Sequence, residues 1–181
     1  MSRLKTSSVK DANEKFVEQL CPNCGLCCDS TLFADVELRA GDDARELARL
    51  GLTLKKKGRD KTAFAQPCAC FDGKLCAIYG NRPKRCRTFE CGLLKKTGAG
   101  ELSAGIALEK ISKAKILVEK VRGLLRSLGQ NDERLALTKR YARAMSAPVD
   151  LSASDNDPEL RGELMMAVND LMRQLQRDFL K

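Results

Sequence analysis

The chain is 181 residues long, carries nine cysteines and a net charge of +9, and contains no histidine and no tryptophan. Without histidine, Ser–His–Asp and Cys–His catalysis are excluded, and an odd number of thiols argues against a closed disulfide framework. No apolar run approaches the length of a bilayer crossing, and residues 1–20 are charged with no apolar signal segment. The chain is therefore expected in the cytoplasm, where thiols stay reduced, and away from membranes.

In chain order, residues 8–20 read as a short helix, with Val9, Ala12, Phe16 and Leu20 at spacings of three or four. Pro22 is expected to stop it and Gly25 to allow a tight turn. A second helix is expected within 33–50, capped by Asp42 or Asp43 and ended by Gly51. Residues 52–58 read as a short strand or basic loop, and 58–67 as irregular. Asp72-Gly73 signals a turn between two cysteine-bearing segments. Phe71, Leu75, Ile78, Tyr79 and Phe89 are expected to pack a small core there, and Pro83 to open a helical segment carrying Cys86. Residues 97–100, Thr-Gly-Ala-Gly, read as a joint; they lack the lysine and serine of a phosphate-binding loop.

Beyond the joint the pattern is helical. Leu108, Ile111, Val118, Val121, Leu125 and Leu128 recur at helical spacing over 104–128, with Gly129 as the stop. Residues 132–145 predict another helix, with Leu135, Leu137, Tyr141, Ala142 and Met145 as apolar members. Residues 146–157 read as a loop. Asp157-Pro158 marks the start of a last helix over 158–180, expected to bury Leu160, Leu164, Met165, Val168, Leu171, Met172, Leu175 and Phe179. The fold class expected is mainly α: a small irregular cysteine-rich module with short β segments over 1–98, and a C-terminal three-helix bundle over 99–181.

The chemistry sits in the cysteines. Cys21-Pro-Asn-Cys24-Gly-Leu-Cys27-Cys28 places three thiols in an x2, x2 rhythm, and Cys68, Cys70, Cys76, Cys86 and Cys91 follow. One tight turn brings a C-x2-C pair of sulfurs to the same side, and soft thiolates select zinc or iron–sulfur clusters. The x2, x2 rhythm tips the balance slightly to iron–sulfur. Cys27 and Cys28, as neighbours, point apart, so they are expected either to serve different metals or to leave one of the pair outside the ligand shell.

Residues 1–98 hold 19 basic and 12 acidic side chains, and residues 99–181 hold 14 and 12. A basic excess can face nucleic acid, but no aromatic platform interleaves with the charges. Four thiolates around a divalent ion carry about −2, and Arg82, Lys84, Arg85 and Arg87 suit the compensation. Nucleic acid is therefore not favoured, and a protein partner is left open.

The motif Cys21-x2-Cys24-Gly-x-Cys27-Cys28, followed by Pro67-Cys68-x7-Cys76-x-Ile78-Tyr79-x2-Arg82-Pro83-x2-Cys86-Arg87-x-Phe89-x-Cys91, resembles the YkgJ-type cysteine-cluster proteins over about residues 18–95. The resemblance implies a CxxCxxCC module that chelates zinc or iron, with one or two sites and with Cys21, Cys24, Cys27, Cys28, Cys68, Cys76, Cys86 and Cys91 as ligands. Cys70 stands where leucine is common in that family, and is the expected spare. Glu90 replaces a frequent proline. Arg82 and Arg87, inside the motif, are expected to hydrogen-bond thiolates or a bound anion rather than only Asp72 or Glu90 at the surface.

Two functions remain in view at this level. One is a metal-binding protein supporting redox or metal-handling chemistry. The other is a structural zinc module presenting a helical bundle to a protein or nucleic-acid partner. Any enzymatic activity would have to come from the metal. Some larger relatives look like protein lysine methylases, but this chain lacks the length for such a catalytic portion.

Overall fold

The structure is a computed structural model and describes residues 16–148 and 157–180. The first part of the helix expected over 8–20 and most of the loop expected over 146–157 lie outside these residues. From residue 16 the chain is helical through 24 (α1). Pro22 does not stop this helix, because the turn comes only at Gly25, with φ 74°.

The region expected as one helix over 33–50 divides. Asp35–Glu37 form strand β1, and only Ala44–Arg49 form a helix, α2. Asp43 caps α2 by accepting from the backbone N–H groups of Arg45 and Glu46. Asp42 instead accepts from Lys84 N at 2.7 Å, at the start of a later helix. Leu54–Lys57 form β2 and Lys61–Ala65 form β3, a strand where irregular chain was expected. β3 lies between the other two, antiparallel to both, in the order β1-β3-β2. Its sequence alternates weakly; pairing on both edges supplies the order that its side chains alone do not signal.

After a 3-10 turn at Tyr79–Asn81 come α3 (Lys84–Thr88) and α4 (Gly92–Gly98). The long helices are α5 (Ala104–Ser127), α6 (Leu137–Ser146) and α7 (Asp157–Asp178). The fold is mainly α with a small three-stranded sheet, as the periodicity leads one to expect.

Two cores hold it. The larger joins Ile111, Val118, Val121 and Leu125 of α5 to Leu164, Leu171 and Leu175 of α7, and takes in Leu20, Leu26, Leu93 and Leu94. Met165 and Met172, expected inside, are half-exposed at 52% each. One position on from Leu164 and Leu171, they rotate about 100° off the buried stripe. The smaller core gathers Val36, Leu47, Leu52, Phe64, Cys70 and Ile78 around the sheet. Leu75 and Tyr79, expected in it, are exposed. No helix among the described residues is long and apolar enough to cross a membrane.

Candidate metal centre

Cys21 and Cys24 sit one turn apart on α1, which puts both sulfurs on one side. The chain then reverses at Gly25: its N–H donates to Cys21 O at 3.2 Å, and its carbonyl accepts from Cys28 N and Asp29 N at 2.8 and 3.0 Å. Only glycine suits this position, for two reasons. Its φ is left-handed, and an added Cβ would stand 2.7 Å from Cζ of the Phe71 ring. Phe71 thus seats the second cysteine stretch directly on the first.

Side chains from the C-terminal helices hold this loop. Arg122 donates to the Asp29 carboxylate at 3.1 Å and to the Asp29 carbonyl at 3.2 Å. Lys115 donates to Asn23 O at 3.3 Å, and Ser30 Oγ accepts from Leu137 N at 3.2 Å, the first residue of α6. Among the basic residues of α5, these two clasp the cysteine loop. The signal was absent because the partners lie 92 and 93 positions away in sequence.

The second stretch is stitched to the first by Cys68 N donating to Cys28 O at 2.8 Å. The turn expected at Asp72-Gly73 is present: Asp72 Oδ1 accepts from Lys74 N and Leu75 N, and Phe71 pairs with Cys76 across it. Cys86 rides on α3, whose first N–H is the one capped by Asp42. The ring of Phe89, just beyond, meets Phe33 edge to face at 5.0 Å. Cys91 is the N-cap of α4, and its Sγ accepts from Leu94 N at 3.4 Å.

The result is one cleft of about 990 Å³ lined by Cys21, Cys24, Cys27, Cys28, Cys68, Cys76, Cys86 and Cys91, together with Arg82 and Arg87. All nine cysteines are free thiols. The ninth, Cys70, does not line the cleft; it is buried in the sheet core and donates to Leu50 O at 3.5 Å. Among the described residues, the side chains as they stand do not draw three or more ligands into a closed ion site.

Burial pushes the thiols up: Cys21, Cys68 and Cys86 to about 11, Cys24 and Cys28 to about 12, and Cys27 well above its ordinary value. Cys21 is exposed as a residue, yet burial remains the leading cause of its shift. After burial, the neighbouring thiols matter. Cys91 raises Cys21, Cys24 and Cys27. Cys68, Cys76 and Cys86 raise Cys28.

Other groups already favour thiolate. Leu94 N–H donates to Cys91 Sγ, and nearby backbone N–H groups pull Cys24 and Cys68 down against the effect of burial. Arg82 donates from Nε to Tyr79 O at 2.9 Å and lies 3.6 Å over the Tyr79 ring. Its charge lowers both Cys21 and Cys86. A set of clustered free thiols with an N–H donor on sulfur and a cation alongside fits a thiophilic metal.

Residues 20–105 match the family described as "CxxCxxCC: Putative zinc- or iron-chelating domain". No curated protein and no solved structure matches the chain.

Proposed function

We propose that this chain, whose residues 20–105 match the CxxCxxCC family, is a metal-binding protein that holds an iron–sulfur cluster or zinc through cysteine thiolates and supports redox or metal-handling chemistry. One observation carries the reading: eight of the nine thiols, from stretches some 40 residues apart, line a single cleft. The ligands proposed are Cys21, Cys24, Cys27, Cys28, Cys68, Cys76, Cys86 and Cys91. When bound, an iron–sulfur cluster would supply one-electron transfer.

The chain's own residues do the rest. The N–H of Leu94, donating to Cys91 Sγ, stabilises charge on that sulfur. The cation of Arg82 offsets part of the negative charge that thiolates bring, and Arg87 adds a second positive charge to the lining. Nine unbridged thiols support a reducing setting such as the cytoplasm.

A second reading is a structural zinc module that presents the α5–α7 helices to a protein partner. It is favoured by the way Arg122, Lys115 and Ser30 tie the first cysteine loop to α5 and α6. Anaerobic purification with absorbance spectroscopy and elemental analysis separates the two. A brown protein with iron and sulfide and sulfur-to-iron charge-transfer absorbance is expected. A colourless protein with stoichiometric zinc removes the redox branch of the first reading and favours the structural one. A folded protein with neither metal overturns both.

A further inference from the structure

Cys27 and Cys28 are joined by a peptide bond, yet their surroundings belong to different parts of the fold. Cys24 and Cys91 pack against the large helical core. Cys68, Cys76 and Cys86 pack against the sheet core. The backbone ties follow the same division. Cys21 O receives Gly25 N–H within the α1 turn, whereas Cys28 O receives Cys68 N–H from the second stretch. Cys91 comes late in the sequence but sits at the head of α4, whose Leu93 and Leu94 are buried in the helical core.

Resting on the metal-binding reading above, we propose that the cleft holds two separate four-sulfur centres that share no ligand: Cys21, Cys24, Cys27 and Cys91 make one, and Cys28, Cys68, Cys76 and Cys86 make the other. The doubled cysteine is what makes this partition work. Successive side chains diverge, so the two thiols of the pair can serve different sets, and the Cys28 carbonyl is already tied to Cys68 N. Each set then has four thiolates, the number that closes a tetrahedral zinc site or ligates a single iron–sulfur cluster. The motif order does not disclose this division, because one late cysteine joins the early group and one early cysteine joins the late group. Arg82 lines the cleft that both sets share.

The test loads the full chain with Cd²⁺ and reads it by ¹¹³Cd NMR and by metal count. Wild type is expected to bind two Cd²⁺ per chain with two resonances in the all-sulfur region. Cys27→Ser and Cys91→Ser should remove or shift the same resonance. Cys28→Ser and Cys86→Ser should remove or shift the other. The adjacent pair is the decisive comparison, since neighbours one bond apart must act on different signals. One Cd²⁺ per chain in wild type overturns the partition, and so does a cadmium–cadmium coupling through shared sulfur or the loss of the same signal in Cys27→Ser and Cys28→Ser. If the variants do not fold, the wild-type count and the presence or absence of coupling decide alone. A wild type that binds no Cd²⁺ at all overturns the metal reading itself, an outcome distinct from the others.

Discussion

On one wall of the cleft, Cys24 and Cys91 rest on seventeen buried hydrophobic residues among those described, in α1 and the loop after it, α4 and the long helices. On the other, Cys68, Cys76 and Cys86 rest on six, gathered around a three-stranded sheet. The helical side has a core adequate for a small bundle. The sheet side resembles scaffolds that need a metal or a disulfide to hold them, and its cysteines are free. The metal proposed above would therefore play different parts: it would complete a structure on one wall and create one on the other.

The largest expected effect is metal removal. Apparent binding energies at structural zinc sites are about 10–16 kcal/mol, comparable with the net stability of a whole domain at about 5–15 kcal/mol. Chelation is expected to strip hydrogen-exchange protection from β1, β2 and β3 while α5 and α7 keep theirs. Equal loss on both walls would break the contrast and make the chain one cooperative unit.

The metal-free protein should also respond to alkali. On the helical side, which keeps its fold without metal, burial pushes Cys21 up to about 11 and Cys24 to about 12, against an ordinary 9.0. The folded state thus keeps protons that the unfolded chain releases. That contribution to stability is complete below about pH 9 and is lost as pH rises toward 12. Denaturant midpoints of the metal-free protein should fall across that window. The metal-loaded protein, its ligand thiols already deprotonated, should show no such fall; a parallel decline in both forms would reject the assignment.

Gly25→Ala comes next. A left-handed φ costs a non-glycine residue about 1–2 kcal/mol, and displacing the Phe71 ring adds about 1–3 kcal/mol of overpacking. A loss of about 3 kcal/mol by denaturation is expected, with weaker metal retention, because the contact joins the two walls. Arg122→Ala should cost about 1.5 kcal/mol and act on the helical wall alone, read as faster exchange in the Cys27–Asp29 turn with β3 unchanged. The smallest effect is Cys70→Ala: about 1 kcal/mol from lost packing, with metal content unaltered. Loss of metal in that variant would make Cys70 a ligand.

Much of this was legible before any fold was known. The α5 and α7 helices followed from their spacing, and a cap at Asp42 or Asp43 and the Asp72 turn from their chemistry. What escaped has a common cause. β3 is ordered by strands on both edges, and neither edge is visible within Lys61–Ala65. Arg122 and Lys115 look like ordinary solvated cations until a loop over 90 positions away is brought against them. The helix run past Pro22 depended on a turn that only Gly25, under the Phe71 ring, completes. Long-range partners, rather than local preference, decided each of these.

One backbone hydrogen bond carries a consequence for the whole chain. Gly92 N–H donates to Phe179 O at 2.8 Å, so the tip of the last helix is clasped to the residue that follows Cys91. Trimming the tail before Phe179 would slacken the seat of a sulfur nearly ninety positions upstream, and the colour or metal content of the protein would report on the integrity of its far end.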